Sequence, residues 1–156
     1  NQRCVVPASG YYEWRTGPDG AKTPFYVTLA DGGPMSLAGL LSTWAGPNGE
    51  EVDTVALVTT DANAELAAVH NRMPAILEGE SVDLWLDTAH VESRHARALA
   101  QPLPPGRVAF HPVSNRVNSA RNEGPDLIGA VADTPPEKPV KPARSKSKAG
   151  DQLDLF

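Results

Sequence analysis

The sequence predicts one sheet-rich α+β domain with a few short helices, followed by an extended, disordered C-terminal tail. Three observations carry that expectation. With 15 prolines and 13 glycines in 156 residues, turns recur at short intervals. The segments between the turns alternate apolar and polar residues or are rich in β-branched ones. From Thr134 onward the chain mixes Pro with Lys, Arg, Ser and Ala and has almost no large apolar side chain, so it cannot build a core. Residues 1–133 are therefore read as the folded domain, 134–150 as a Pro/Lys linker and 151–156 as a separate terminal motif. Hydrophobic residues make up 40% of the chain, enough for one core.

The elements follow in order. Residues 4–7 form a short apolar strand, and Gly10 bends the chain into Tyr11-Tyr12-Glu13-Trp14-Arg15. Gly17-Pro18-Asp19-Gly20 is a turn by composition, and residues 24–29 return as the second strand of a hairpin. After Gly32-Gly33-Pro34, residues 35–44 are mostly apolar and read as a buried strand. Pro47-Asn48-Gly49 turns the chain again. Residues 54–60 are β-branched and nearly all apolar, the pattern of a central strand. Residues 61–69 read as a short helix capped by Asp61, ending near His70 because Pro74 disfavours helical geometry at Met73. Residues 75–77 are a short strand. Ser81 caps a helix reaching Leu86, and Thr88 caps another reaching about Ala100. Residues 107–113 form the last strand, and Asp126-Leu127-Ile128 docks the end of the domain.

Charge narrows the function. The net charge of −5 is uneven: from Thr134 onward five Lys/Arg stand against three Asp/Glu (+2), and the remaining body holds nine against sixteen (−7). An acidic body excludes broad, non-specific nucleic-acid binding, so any such contact needs a local basic patch. No apolar run is long enough to span a membrane, and no secretory signal or membrane partner is expected. The single cysteine, Cys4, cannot form an internal disulfide, which fits a reducing cytoplasm. No Cys–His cluster has metal-binding spacing, so no metal and no cofactor are expected. Residues 3–6 already look like the middle of a strand, whose unpaired edge would be exposed; an N-terminal piece is expected to be missing.

Two residues stand out as candidates for proton chemistry. Glu13 shares one strand face with Tyr11 and Arg15, while Tyr12 and Trp14 share the other. Partial desolvation by rings would suit this carboxyl to acid–base work; equally, it reads as a surface glutamate paired to Arg15 or another base. His70 sits in His70-Asn71-Arg72-Met73-Pro74, at an expected helix C-terminus that would favour the protonated ring. It reads either as a proton-transfer group or as a cap on the last carbonyls. His90 and His95 read as solvated, and His111 as structural. The polar loop of residues 114–123, with Arg116, Asn118, Arg121 and Asn122, reads as satisfying its own backbone, the alternative being that its arginines and amides grip phosphates. Stretched as polyproline, the linker spans on the order of 50 Å. Beyond it Gln152-Leu153-Asp154-Leu155-Phe156 is an apolar cluster on a polar tail, which suggests a docking peptide.

Arg3-Cys4-Val5-Val6-Pro7-Ala8-Ser9-Gly10-Tyr11-Tyr12-Glu13-Trp14 resembles a signature of the SOS response-associated peptidase (SRAP) family, also called abasic-site processing proteins. The match continues in Thr59-Thr60-Asp61-Ala62-Asn63, in Val69-His70-Asn71-Arg72-Met73-Pro74 and in Val113-Ser114-Asn115-Arg116-Val117-Asn118. It implies a compact α+β domain of curved antiparallel sheets arranged like a barrel. It implies binding to single-stranded DNA with an abasic site, and a thiazolidine cross-link made by an N-terminal cysteine exposed when the initiator Met is removed. Glu13 and His70 would then match the active-site glutamate and histidine, Arg72 would hold DNA phosphate, and Trp14 would pack beneath the site. The family's cysteine and an active-site asparagine belong to a segment preceding this chain. Cys4 matches an internal position, where a thiol is usually a small buried hydrophobe.

Residues 152–156 separately resemble the peptide preferred by the bacterial replicative sliding clamp, which implies recruitment to replication sites. Two other readings compete with the DNA cross-linker. One is a non-catalytic, clamp-tethered adaptor that keeps the fold without the nucleophile. The other is a peptidase using Cys4 with His70.

Overall fold

The computed structural model describes residues 2–133. It is an α+β fold of antiparallel sheets with two short helices, as expected. Strand β1 (Gln2–Ala8) pairs along one edge of β4 (Met35–Ala45), from Gln2 opposite Leu41 to Ala8 opposite Met35. The other edge of β4 is shared. Strand β5 (Glu51–Leu57) takes Gly39–Ala45, and β8 (Ile76–Leu77) takes Ser36 and Leu37. A second sheet has the order β2 (Tyr11–Thr16), β3 (Lys22–Leu29), β9 (Val108–Pro112). Strands β6 (Thr59–Asp61) and β7 (Arg72–Pro74) form a hairpin of their own. The barrel-like closure implied by the resemblance takes the form of two facing sheets, with no strand hydrogen-bonded to both among the described residues.

The core between the sheets explains the packing. Met35, Leu37 and Ile76 from the first sheet meet Phe25, Val27, Leu29 and Val108 from the second. Each such buried side chain contributes about 1.5–3 kcal/mol relative to exposure. Leu66, Val69 and Met73 join the same cluster, so the β6–β7 hairpin is driven onto it by its own apolar residues. A second cluster of Ala38, Ala75, Leu77, Trp85 and Ala96 seats α1 (Glu80–Leu86) and α2 (Ser93–Leu99) against β1 and β4. Arg3 locks this corner by donating to the carbonyl oxygens of Trp85, Asp87 and Val91 at the end of α1. Gly10 lets β2 approach β3: a Cβ there would stand 2.5 Å from the Tyr26 ring and from the Val27 carbonyl oxygen.

Several expectations need correction. The apolar run of residues 54–60 is not one central strand. It divides at Val58 into β5 and β6, and all seven residues of β5 are exposed on a sheet edge. The division arises because Val58 N–H donates to Ala38 O and Val58 O accepts from Ala75 N–H, which turns the next residues out of the sheet. Residues 35–44 are one strand, but only its first half is buried. The helix expected over residues 61–69 shrinks to a 3₁₀ turn at Leu66–Ala68, because Asp61 is held in β6 opposite Arg72. Asn63, not Asp61, does the capping. Ser81 lies inside α1 rather than at its cap; its hydroxyl bonds back to Glu78. The second helix starts at Ser93, since Asp87 caps a separate turn by accepting from His90 N–H. The linker and the terminal motif lie outside the described residues.

Asn63 links the core to the loop that carries His70. It is 6% exposed; its Oδ1 accepts from Leu66 N–H at 2.9 Å and its Nδ2 donates to Leu103 O at 3.2 Å. Asn63→Ala leaves two buried backbone groups without a partner and is expected to cost about 1–3 kcal/mol, read as a lower denaturation midpoint in urea at unchanged slope.

Candidate functional site

Glu13, on the second sheet, and His70, in the connection between β6 and β7, meet at the rim between these elements. Glu13 is on β2, opposite Phe25 of β3, on the face turned toward the core. His70 follows the 3₁₀ turn, its N–H bonded to Leu66 O at 3.0 Å. The burial of Val69 and Met73 on either side leaves His70 at the surface beside β2. The imidazole Nδ1 stands 3.8 Å from Glu13 Oε2, with the side chains 42% and 22% exposed respectively. Nδ1 also lies 3.2 Å from both the backbone N and the backbone O of Arg72. In the neutral ring that accepts from Arg72 N–H, the proton is on Nε2; in the protonated ring, Nδ1–H faces Arg72 O and the Glu13 carboxylate. Glu13 Oε1 accepts from Trp14 N–H at 3.0 Å. No helix dipole acts on His70, since a three-residue 3₁₀ turn replaces the expected helix.

The other predicted residues distribute around this pair. Arg72 is pinned by β6: its guanidinium donates to Asp61 Oδ1 at 3.3 Å and to Thr59 O and Oγ1 at 2.8 Å each. The hairpin register, which sets Asp61 opposite Arg72 and Thr59 opposite Pro74, makes that clasp. Trp14 lies on the opposite face of β2 from Glu13, where its Nε1 donates to Asn118 Oδ1 at 2.8 Å. Arg15 is not the partner of Glu13; it pairs with Asp133 and lies 4.8 Å over the Phe25 ring. Cys4 is half-buried in β1 of the other sheet, its Sγ 2.8 Å from where a Cβ on Gly39 would stand. His111 is structural, with Nε2 2.8 Å from Ile128 O. A 630 Å³ groove between β4 and α2, lined by Leu40, Trp85 and Arg97 among others, contains neither Glu13 nor His70. Among the described residues no helix is long and apolar enough to cross a membrane.

Residues 1–120 match the family described as SOS response associated peptidase (SRAP). The chain belongs to the SRAP family. Among its relatives is the abasic site processing protein HMCES of Gallus gallus, 34% identical over 169 residues, a match covering 96% of this chain and 49% of that protein. The abasic site processing protein YoqW of Bacillus subtilis is 32% identical over 128 residues, covering 82% of this chain and 57% of that protein. A crystal structure of a Bacteroides thetaiotaomicron protein superposes with a TM-score of 0.75 at 29% identity, covering 84% of this chain and 57% of that one. The chain thus spans about half the length of the curated relatives it matches.

In this SRAP chain, residue patterns alone did not single out Thr59 and Asp61 as the groups that hold Arg72. The signal was the two-residue spacing of Thr59 and Asp61, which lets both reach one guanidinium once β6 pairs with β7. Asn118, which holds Trp14, stands in the loop whose expected role is to satisfy its own backbone. Much of that loop does so: Asn122 Nδ2 donates to Arg116 O, Ser114 caps the 3₁₀ turn Asn115–Asn118, and Arg116 pairs with Asp126 at 2.6 Å.

The Arg116 guanidinium beside Asp126 holds that carboxyl below its usual range, and Arg15 does the same to Asp133. A carboxyl depressed in the folded state stabilises it above the unfolded titration range and loses that contribution as pH falls through the folded one. The amide resonances of residues 114–118 are therefore expected to stay unchanged from neutral pH down to the ordinary carboxylate range and to shift only below it. Arg116→Gln is expected to move that shift upward, toward the ordinary range, in an NMR titration.

Proposed function

We propose that this chain carries the acid/base pair of an abasic-site processing protein that acts on single-stranded DNA. The observation that supports it best is the meeting of Glu13 and His70, 3.8 Å apart at a half-open rim, from elements 57 residues apart in sequence. Family membership and the names of the relatives supply the substrate class. The α-amine of the family's N-terminal cysteine attacks the C1′ aldehyde of the open-ring sugar, and water leaves as the Schiff base forms. The thiol then adds across the C=N bond and closes the thiazolidine. Opening the sugar ring moves a proton from the C1′ hydroxyl to the ring oxygen, and loss of water from the carbinolamine needs a proton on the departing oxygen. Glu13 and His70 serve these transfers, and the reverse ones when the link is released. Removal of the initiator Met, an autopeptidase step, precedes the chemistry.

Arg72, fixed by Asp61 and Thr59 and still about half exposed, is the proposed phosphate contact; Trp14, on the other face of β2, is a proposed second contact to the strand. The domain limits proposed are 1–133 for the SRAP portion, 134–150 for a linker and 151–156 for a clamp-binding motif. In the motif Gln152 takes a polar spot beside Leu153 and Asp154, while Leu155 and Phe156 fill an apolar cleft of the bacterial sliding clamp, which places the protein at replication sites in the cytoplasm.

The test is to incubate the native, full-length protein with single-stranded DNA carrying an abasic site and look for an adduct that survives denaturation. An adduct is expected, and His70→Ala or Glu13→Gln is expected to change the rate of its formation or release by about 10²-fold. No adduct from the native protein, with clamp binding retained, would establish the adaptor reading instead. Full adduct formation and full processing in Cys4→Ser would exclude the peptidase that uses Cys4.

Deleting Leu155 and Phe156 is expected to abolish clamp binding in a surface-plasmon or polarisation assay and to leave adduct formation unchanged. Equal clamp affinity in the shortened protein would reject the motif.

A further inference from the structure

Tyr11 Oη is the one side-chain polar atom among the described residues that is both shielded from water and without a hydrogen-bond partner. An unpaired buried donor of this kind is destabilising. Phenylalanine would fill the same space without that cost. Tyr11 packs on the core cluster that includes Leu66, Val69 and Met73, the residues that seat the His70 loop. It lies two residues before Glu13 on β2, on the same face, opposite Val27 where Glu13 is opposite Phe25. At about 3.3 Å of rise per residue, their side chains start roughly 7 Å apart, within reach of each other. Burial pushes the Tyr11 phenol well above its ordinary range, and the charge of Glu13 pushes it further, so the group is a donor throughout the neutral range.

Glu13 is loosely held where it stands. Oε1 accepts the N–H of the next residue, and Oε2 is 3.8 Å from His70, beyond hydrogen-bond reach. The carboxylate therefore has a weak partner outward, at the rim, and an unused donor inward, on its own strand. A rotation about its side-chain bonds would exchange one for the other. The inward position takes the carboxylate out of water, and a charge-assisted O–H···O bond offsets the loss.

We propose that Tyr11 is a positioning residue for Glu13: its hydroxyl donates to the Glu13 carboxylate when that carboxylate turns away from His70, giving Glu13 two defined positions. The proton stays on the phenol throughout. The catalytic consequence rests on the acid/base reading of Glu13 above; the hydrogen bond itself does not.

The deciding measurement uses full-length protein with ring-labelled tyrosine. The difference spectrum between wild type and Tyr11→Phe isolates the phenol C–O stretch of Tyr11 in the infrared, and its frequency reports what the hydroxyl donates to. The same difference is taken in a Glu13→Gln background, with and without single-stranded abasic-site DNA. The band is expected to move when Glu13 is neutralised. A band at the same position with and without Glu13→Gln, whether or not DNA is present, overturns the proposal.

In parallel, Tyr11→Phe is expected to keep or raise Tm, since it removes an unpaired polar atom. It should slow single-turnover adduct formation about tenfold at unchanged half-saturation by DNA. A change confined to Tm, with the rate within twofold of wild type, also overturns the positioning role. If the wild-type protein forms no adduct, the proposed function fails, while the infrared comparison still decides whether Tyr11 and Glu13 are bonded.

Discussion

Three backbone hydrogen bonds at one junction organise the molecule. Ala38 O accepts from Val58 N–H, Ala38 N–H donates to Ala75 O, and Ala75 N–H donates to Val58 O, each at 2.8–2.9 Å. They join the ends of a 16-residue excursion, residues 59–74, to the middle of the longest strand. Because both ends are fixed, the excursion must fold as a hairpin, and its apolar residues decide which way it lies. Leu66, Val69 and Met73 are all buried, so the tip closes over the second sheet rather than over solvent. His70 is then left at the rim beside Glu13. The position of the candidate pair follows from a backbone junction and three hydrophobic side chains.

Three arginines of the domain are held in place. Arg72, Arg15 and Arg116 each have a carboxylate partner on a neighbouring element. Exposed pairs of this sort add little to stability, but each fixes where a guanidinium points. Arg72 is the clearest instance. Three acceptors from β6 hold it, two of them on the single residue Thr59, so the cation is aimed by the same hairpin that carries His70. A body with an excess of acidic groups can present local positive charge only in this way, by setting individual arginines rather than by accumulating them.

Local patterns were a good guide where neighbouring residues decide the structure. The β2–β3 hairpin, the last strand and the docking of Leu127 follow from turn chemistry and alternation. Patterns failed where a distant partner decides. Nothing near residues 54–60 announces the break at Val58, since the groups that cause it are Ala38 and Ala75. Asp61 has the chemistry of a helix cap, yet strand pairing with Arg72 claims it, and Asn63 two residues later takes the cap because Leu103, 40 residues away, occupies its other end. For the site, the residue types of Glu13 and His70 were legible, as was their place in family-like blocks. Their separation of 3.8 Å was not, and neither was the orphan hydroxyl of Tyr11, which only burial reveals.

Strand β5 has an implication of its own. Val52, Val55 and Leu57 are each 46–49% exposed, Val52 opposite the exposed Trp44 of the neighbouring strand, and among the described residues no strand pairs with the outer edge of β5. A ribbon with apolar side chains and open peptide dipoles is a template for another extended chain. Residues 2–133 prepared by themselves would accumulate through that ribbon, molecule upon molecule. A lysine at Val55, which adds charge without touching the Glu13 rim, would be the simplest means of keeping them apart.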